Sequence, residues 1–365
     1  MSKITGNKIK NLEHQIKTAA AGPRALVDGG AGFIGSNLCG HLLAQGYEVF
    51  AVDNLITGKI KNISRYSHDQ RFHFIEMDIN DSEFPETFRN IKINEIYHLA
   101  CPTGVPNIKK LGEEMINTCS RGTFNVMSLA RAHGAGVVYS SSAEVYGQPE
   151  ETPQSEHYTG NVNPIGPRSA YEEGKRFAES IIKMYADKYG LNAKIVRIFN
   201  TYGPGMSLSD QRVMPQFLQS IIRGKKLTIF GDGSQTRTFL YVSDLLSGLE
   251  LVMKNGKPGE AYNIGGDNQI TIKELAELMK KLTGYRLEVE FVPHFIEDHN
   301  HRQPAVSKAE LLGWRQTVSL EEGLKRMIIA NGVKLARPIA IRSVAKDKFT
   351  IKESLSTEPM LGAGL

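Results

Sequence analysis

The chain has 365 residues, of which 41% are hydrophobic and 23% are charged, and these proportions indicate a globular protein with one large or two moderate domains. The formal net charge of +5 is mild and no dense Lys/Arg block occurs in the body of the chain, which argues against nucleic acid as a partner. Cys39, Cys101 and Cys119 match no metal-ligand spacing, so we expect no metal site and reduced thiols. The N-terminus is too polar for a signal peptide and no apolar window is long enough to span a membrane, so we expect a cytoplasmic protein.

Short apolar strands alternate with helical patterns from Arg24 to Asn200. This alternation is typical of a doubly wound parallel sheet, a Rossmann-type α/β fold with helices on both faces. The predicted strands cover 24–28, 47–53, 72–77, 95–100, 136–141 and 194–199, and the main predicted helices cover 34–45, 123–133 and 171–189.

The pattern changes after Asn200, where short strands mix with helices. Strands are predicted at 227–230 and 261–264, and helices at 214–223, 242–253 and 272–283. We interpret residues 201–335 as a smaller α/β lobe, some segments of which cross back to the first sheet. Residues 1–23 are predicted to be a polar extension, residues 24–200 the Rossmann domain, and residues 336–365 a tail without apolar periodicity.

A glycine-rich turn follows the first predicted strand and opens the first helix. Gly29, Gly32 and Gly35 have the spacing G-x-x-G-x-x-G, which lets backbone N–H groups and the helix N-terminus approach a pyrophosphate. A turn without a ligand is the alternative. Asp53, at the end of the second strand, favours a dinucleotide, because its carboxylate can bind a ribose 2′-OH and repels a 2′-phosphate. The pattern therefore predicts NAD rather than NADP. Asp78 is predicted either to border the adenine pocket or to serve as a turn residue.

Tyr171 and Lys175 lie one helical turn apart on a predicted helix. The ordinary pKa of a tyrosine is about 10, and a nearby ammonium lowers it toward the range in which the phenolate can act as a base. The spacing alone also fits an ordinary surface pair. The end of the fifth strand, from Ser140 to Gly147, supports the catalytic interpretation, since a hydroxyl there can bind the substrate oxygen that Tyr171 deprotonates.

The segments GGAGFIG, SSSAEVYG and YEEGK together resemble the extended short-chain dehydrogenase/reductase family of nucleotide-sugar enzymes. YHLACP, VNPIGPR and RIFNTYGP resemble its UDP-glucuronate decarboxylase branch. The resemblance implies a tightly bound, recycled NAD, a nucleotide-sugar substrate and a homodimer. It implies that Tyr171 is the base, Lys175 its partner and Ser142 the hydroxyl donor, with Glu144 beside the sugar and Arg302 at the sugar carboxylate.

The resemblance also implies binding residues for both ligands. The expected cofactor-binding residues are Gly29, Gly32, Phe33, Ile34, Gly35, Asp53, Asn54, Thr57, Gly58, Asp78, Ile79, Ala100, Tyr171, Lys175 and Thr201. The expected substrate-binding residues are Glu144, Asn200, Arg212, Gln216, Gln235, Arg237 and Arg302. Guanidinium groups suit phosphate, although the usual role of a single arginine is a surface ion pair.

The implied reaction is decarboxylation of UDP-glucuronate to UDP-xylose through a 4-keto intermediate. Ala143 stands where 4,6-dehydratases of the superfamily carry an aspartate, which argues against dehydration. Two alternatives remain: a UDP-sugar 4-epimerase, and a non-catalytic protein that binds NAD or a UDP-sugar. The stretch from Cys101 to Gly122 departs from the family pattern, with Cys119 in place of an asparagine, and predicts a remodelled sugar pocket.

Overall fold

The computed structural model describes residues 22–286, 288–293 and 302–336. The predicted N-terminal extension and tail therefore lie almost wholly outside the described residues. No helix in the described ranges is both long enough and apolar enough to cross a membrane.

A seven-stranded parallel sheet forms the centre of the molecule and confirms the predicted Rossmann-type fold. The strands are β1 (Arg24–Asp28), β2 (Glu48–Asp53), β3 (Phe72–Glu76), β4 (Glu95–His98), β5 (Gly136–Ser142), β6 (Ala193–Ile198) and β11 (Ala261–Ile264). Their order across the sheet is β11-β6-β5-β4-β1-β2-β3. The predicted strands agree with these bounds within two residues.

The largest difference among the predicted strands is the end of β4. We predict that this strand continues to Ala100, but it ends at His98. The backbone N–H groups of Leu99 and Ala100 donate to the carboxylate of Asp28, at 2.8 and 2.7 Å. These two groups therefore do not donate to a neighbouring strand. The His98 ring also contacts this carboxylate, at 2.9 Å, and both side chains are fully buried.

Helices cover both faces of the sheet, as the alternation of elements predicts. They are α1 (Phe33–Ala44), α2 (Ile60–Ile63), α3 (Phe84–Thr87), α4 (Val105–Lys110), α5 (Gly112–Asn117), α6 (Thr123–His133), α7 (Ser169–Tyr189), α8 (Val213–Arg223), α9 (Val242–Asn255), α10 (Ile272–Thr283), α11 (Ser307–Leu311) and α12 (Leu320–Ala330). A π-helical turn, Thr118–Gly122, joins α5 to α6, and 3-10 turns occupy Ser64–Tyr66 and Ala143–Tyr146.

In the part of the chain that the structure describes, the C-terminal segments form three two-stranded sheets. Their strands are β7 (Thr201–Tyr202) with β10 (Leu240–Tyr241), β8 (Leu227–Phe230) with β13 (Val289–Val292), and β9 (Thr236–Thr238) with β12 (Gln269–Thr271). β11 pairs with β6 and so extends the central sheet, which agrees with the expectation that C-terminal segments cross back. The domain boundary at residue 200 stays a proposal.

Candidate active site

A cleft of about 1060 Å³ runs along the edge at which the parallel strands end. Ligands of doubly wound sheets bind at this edge. The cleft is lined by most of the predicted site residues, namely Gly29, Gly32, Phe33, Ile34, Gly35, Asp53, Asn54, Thr57, Asp78, Ile79, Ala100, Ser142, Glu144, Tyr171, Lys175, Asn200, Thr201, Arg212 and Arg302. Gly58 packs behind Asp53, where a Cβ would lie 2.6 Å from its carboxylate.

The glycine turn leaves no space for side chains at two of its positions. A Cβ on Gly35 would lie 2.1 Å from the carbonyl oxygen of Gly29, so the first turn of α1 packs directly on the backbone of the loop. Gly29 has φ +68°, a conformation that favours glycine. The turn therefore exposes bare backbone and the N-terminus of α1 to the cleft, and this arrangement fits a pyrophosphate group.

Asp53 connects the end of β2 to this turn. Its carboxylate accepts hydrogen bonds from the backbone N–H groups of Ala31, at 2.9 Å, and Leu55, at 2.8 Å. Burial raises the pKa of Asp53 above its ordinary value, and the two amide donors partly oppose this shift. The carboxylate lines the cleft, so it is positioned to accept a ribose hydroxyl.

Asp78 has the contacts of a turn residue, and its place at the adenine pocket stays a prediction. One carboxylate oxygen accepts the backbone N–H of Asn80 at 2.8 Å, which is the role of a turn residue. The other accepts the side-chain amide of Asn54 at 2.9 Å, and both side chains line the cleft.

Tyr171 and Lys175 extend from α7 towards the end of β5. Lys175 is buried, donates to the carbonyl oxygen of Ser140 at 2.7 Å, and has its Nζ 5.9 Å from the centre of the Tyr171 ring. Burial raises the pKa of Tyr171 above its ordinary value, while the Lys175 charge and a hydrogen bond with Ser142 oppose the shift. Burial alone would lower the pKa of Lys175, but negative charge on Cys101, Cys119 and Tyr171 raises it. The site therefore places a buried ammonium beside a tyrosine whose ionisation is opposed by burial and favoured by the Lys175 charge.

Glu144 lies at the centre of an ion-pair cluster beside these residues. Arg302 holds it through two contacts, Nη1 to Oε1 and Nη2 to Oε2, the second at 3.3 Å. Arg168 donates to Glu144 Oε2 at 2.5 Å and to Glu172 at 3.0 Å. Arg168 lines the cleft and is a site residue that our sequence analysis missed, although it stands three positions before Tyr171 in the VNPIGPR motif.

The remaining predicted substrate contacts are divided between two locations. Asn200 and Arg212 line the cleft, and Arg212 pairs with Asp210 at 2.6 Å. Gln216, Gln235 and Arg237 are not among the described residues that line it. Gln235 donates to the carbonyl oxygen of Phe230 at 2.7 Å and Arg237 to that of Thr236 at 2.8 Å, so their proposed role in substrate binding stays a prediction.

In the described ranges, no group of three or more His, Cys, Asp or Glu side chains is arranged to hold a metal ion. The polar chemistry of the cleft is that of hydroxyl, phenol, carboxylate, ammonium and guanidinium groups.

The fold and the cleft together define a class of protein: Rossmann-type enzymes with a Tyr–Lys pair facing a dinucleotide-sized cleft. The sequence profile of the family described as GDP-mannose 4,6 dehydratase matches residues 26–327. The chain therefore belongs to this family, within the extended short-chain dehydrogenase/reductases.

Curated relatives and solved structures are similar over most of the chain. UDP-glucuronic acid decarboxylase 1 of Arabidopsis thaliana is 43% identical over 306 residues, which are 84% of this chain and 69% of the relative. The Danio rerio protein of the same name is 41% identical and covers 84% and 72%. UDP-glucose 4-epimerase from Thermotoga maritima superposes with a TM-score of 0.78 at 31% identity, covering 85% of this chain and 98% of that one. A dTDP-glucose 4,6-dehydratase from Streptomyces venezuelae, solved with NAD, has a TM-score of 0.77 at 29% identity and covers 85% and 97%.

Proposed function

We propose that this protein is an NAD-dependent enzyme that decarboxylates UDP-glucuronate to UDP-xylose. The curated relatives with 41% and 43% identity carry the name of this activity. The observation that carries the proposal is the cluster of Glu144, Arg168 and Arg302 next to Ser142 and Tyr171. It places two guanidinium groups and one carboxylate beside the proton-transfer residues.

The glycine turn and Asp53 would hold NAD, whose pyrophosphate fits the bare backbone of Gly29–Gly35 and whose ribose hydroxyls fit Asp53. The dehydratase from Streptomyces venezuelae, solved with NAD, supports this choice of cofactor. When bound, NAD would supply the hydride acceptor for oxidation at C4 and the hydride donor for the later reduction, so no cofactor would be consumed.

Tyr171 acts on the C4 hydroxyl of the sugar. It removes the hydroxyl proton as C4 loses its hydride, and Ser142 binds the same oxygen. The buried ammonium of Lys175 stabilises the phenolate, because opposite charges in a site of low dielectric interact strongly. The 4-keto product is a β-keto acid, which loses carbon dioxide because the carbanion at C5 is delocalised as an enolate. A proton then adds to C5, and reduction of the 4-keto group gives UDP-xylose.

Arg302 and Arg168 supply positive charge for a substrate that carries a carboxylate. Arg302 makes its two described contacts with Glu144, which leaves donors of its five N–H groups for the sugar. Glu144 holds Arg302 in place and lies within the same cleft as Ser142. We expect the carboxylate of the substrate to bind against this cluster.

A 4-epimerase is the second candidate, and the superposition on UDP-glucose 4-epimerase favours it. An epimerase would use the same Tyr171, Lys175 and Ser142 but would let the 4-keto sugar rotate before reduction. The arginines argue against a neutral hexose, which brings no carboxylate to Arg302 and Arg168 and leaves them paired with Glu144 and Glu172. A uronate epimerase shares the substrate carboxylate with the proposed decarboxylase, so the product of the reaction distinguishes these two.

One experiment separates the candidates. The protein is incubated with UDP-glucuronate and a proton NMR spectrum is recorded over time, with Tyr171→Phe as the control. We expect the anomeric signals of UDP-xylose and release of carbon dioxide with the unmodified protein, and neither with Tyr171→Phe. Signals of UDP-galacturonate would contradict the proposal and show that the protein is a 4-epimerase. An unchanged spectrum would exclude both reactions for this sugar.

We propose a homodimer in which α6 and α7 pack against the same helices of a second copy. Phe124 on α6 is 40% exposed, and on α7 Phe177 and Met184 are 51% and 38% exposed. Phe177 and Met184 are two turns apart and so share a face of the helix. Sedimentation velocity tests the proposal: Phe177→Glu should convert a dimer to a monomer, and a monomeric unmodified protein would contradict it.

We further propose that the protein works in the cytosol. Its three cysteines are free thiols, and reduced thiols are typical of that compartment. Fluorescence microscopy of a tagged protein, with a cytosolic marker, tests this assignment.

A further inference from the structure

Two cysteines lie against each other at the bottom of the cleft, and the proposed chemistry uses neither of them. The sulfur atoms of Cys101 and Cys119 are 3.8 Å apart and share a hydrogen bond. Cys101 follows β4, is partly exposed and lines the cleft. Cys119 belongs to the π-helical turn Thr118–Gly122 and is 1% exposed. The fold thus brings together two thiols that are distant in sequence, one of which faces the cleft.

Cys119 packs closely against α7. Gly174, which precedes Lys175 in α7, faces the cysteine, and a Cβ at Gly174 would lie 3.4 Å from the Cβ of Cys119. This is an ordinary van der Waals distance, so the π-helical turn lies directly against α7 at this position. This packing brings the two sulfurs near the Lys175 ammonium, which interacts electrostatically with both.

The surroundings favour a thiolate within the pair. The hydrogen bond from Cys101 lowers the pKa of the Cys119 thiol, burial opposes this shift, and the Lys175 charge lowers the pKa further. The hydroxyl of Tyr139 also contributes to the lowering. This hydroxyl is buried and has no hydrogen-bond partner among the residues that the structure describes. The hydrogen bond with Cys119 and burial raise the pKa of Cys101, so the thiolate is favoured on Cys119 and Cys101 is the thiol that lines the cleft. A thiolate next to a cation and a second thiol is the chemical environment of reactive cysteines.

We propose that Cys101 and Cys119 form a reversible dithiol–disulfide pair, which a peroxide that enters the cleft oxidises and which switches the enzyme off. The proton shared in the Cys101–Cys119 hydrogen bond passes to Cys119, and the resulting Cys101 thiolate, which lines the cleft, attacks one peroxide oxygen. The O–O bond breaks, hydroxide leaves and Cys101 becomes a sulfenic acid. The Cys119 thiol then attacks this sulfur, the S–S bond forms, the S–O bond breaks, and the departing hydroxide leaves as water with the thiol proton. The hydroxide from the peroxide takes up the one proton that the pair lost on forming the thiolate, so two thiols and one hydrogen peroxide give one disulfide and two waters.

The disulfide changes the site in two ways. An S–S bond is about 2.05 Å long, so the sulfurs must move closer and draw the loop after β4 towards the π-helical turn. This loop carries Cys101 and the lining residue Pro102, so the shape of the cleft changes where the sugar and the cofactor meet. The thiolate charge near Lys175 is lost at the same time. We therefore expect oxidation to remove activity, and a dithiol reductant to restore it.

The test uses the full chain with its bound cofactor. The protein is treated with a small excess of hydrogen peroxide, free thiols are blocked with iodoacetamide, and the proteolytic peptides are analysed by mass spectrometry. We expect one cross-linked species that joins the peptides of Cys101 and Cys119, lighter than the two thiol peptides by two hydrogen atoms. We also expect activity to fall at least about tenfold and to return with dithiothreitol.

Three variants serve as matched comparisons, each scored as a fraction of its own untreated activity. Cys101→Ser and Cys119→Ser should lose the reversible inactivation, while Cys39→Ser, which removes the third thiol, should keep it. Over-oxidised Cys101 without a cross-link would overturn the proposal, and so would a cross-link that leaves activity unchanged. The peptide masses do not depend on the reaction catalysed, so they are informative even if UDP-glucuronate is not the substrate.

Discussion

Arg302 and Glu144 are joined by two parallel contacts, although 158 positions separate them in the chain. The arginine comes from the C-terminal part and the glutamate from the turn that follows β5. Both side chains line the cleft, as do Ser142 and Tyr171. The relationship gives the C-terminal part, which also contributes Arg212 to the lining, a direct contact with the proposed chemistry.

Arg302→Gln should therefore impair the reaction more than it impairs folding. Without the Arg302 guanidinium, the substrate carboxylate loses a charge-assisted contact worth about 2–5 kcal/mol, which corresponds to a fall in kcat/KM for UDP-glucuronate of roughly 30-fold to a few thousand-fold. Steady-state kinetics measure this fall, and the melting temperature reports the effect on stability. Arg315→Gln is the control, because Arg315 is exposed and does not line the cleft. Normal kinetics of Arg302→Gln would contradict the assignment.

The pH dependence of the reaction should identify Tyr171 as the base. Burial raises the pKa of Tyr171, and Lys175 and the hydrogen bond with Ser142 oppose this shift. The active form is the phenolate, so kcat/KM should rise with pH until the tyrosine is ionised. Ser142→Ala removes one of the lowering interactions and should move the inflection to higher pH, so that the loss of activity is largest at low pH.

A pH–rate profile of kcat/KM tests this expectation. Ser141→Ala is a close control, because the hydroxyl of Ser141 donates to Glu179 at 2.5 Å and the pKa of Tyr171 is shifted by Ser142. We expect the profile of the control to keep its inflection. An unchanged inflection in Ser142→Ala would show that the observed ionisation does not belong to Tyr171.

The sequence predicted the parts of the site that depend on local patterns. The strands of the central sheet, the glycine turn and the Tyr171–Lys175 pair follow from hydrophobic periodicity and short motifs, and the structure agrees with them within two residues at the strand ends. The contacts of Glu144 could not be predicted in this way. Arg168 and Arg302 stand 24 and 158 positions away, and their approach depends on how distant segments pack. The thiol pair of Cys101 and Cys119 was missed for the same reason, since it forms only when the π-helical turn packs on Gly174.

Asp53→Asn should weaken the preference for NAD over NADP. The substitution keeps the size of the side chain but removes the charge that repels a 2′-phosphate, so we expect the ratio of the two dissociation constants to change by about tenfold. The asparagine side chain has only one oxygen, so it can accept a hydrogen bond from the backbone N–H of either Ala31 or Leu55 through that atom and not from both through two atoms. The turn is then held less firmly, and NAD binding should also weaken. Fluorescence titrations with NADH and NADPH measure both effects. Asp187→Asn, at an exposed position of α7, should leave the ratio unchanged.

Gly35→Ala tests whether the glycine turn requires direct backbone contact. The added Cβ would lie 2.1 Å from the carbonyl oxygen of Gly29 and 2.9 Å from the Cα of Gly30, so either α1 or the loop must move. We expect a loss of stability of ~2 kcal/mol or more, because strain against the backbone cannot be relieved by a side-chain rotation. The displacement also moves the N–H groups that face the pyrophosphate, so the purified variant should contain little cofactor.

Gly112→Ala is the matched control for this substitution. Its Cβ would meet only the Cβ of Ala170, at 3.4 Å, an ordinary contact, and alanine favours a helix more than glycine does. Thermal unfolding and the absorbance of released NAD should therefore distinguish the two variants. A Gly35→Ala protein that melts like the unmodified chain and retains its cofactor would mean that α1 can shift without cost, and the pyrophosphate would then need another binding site.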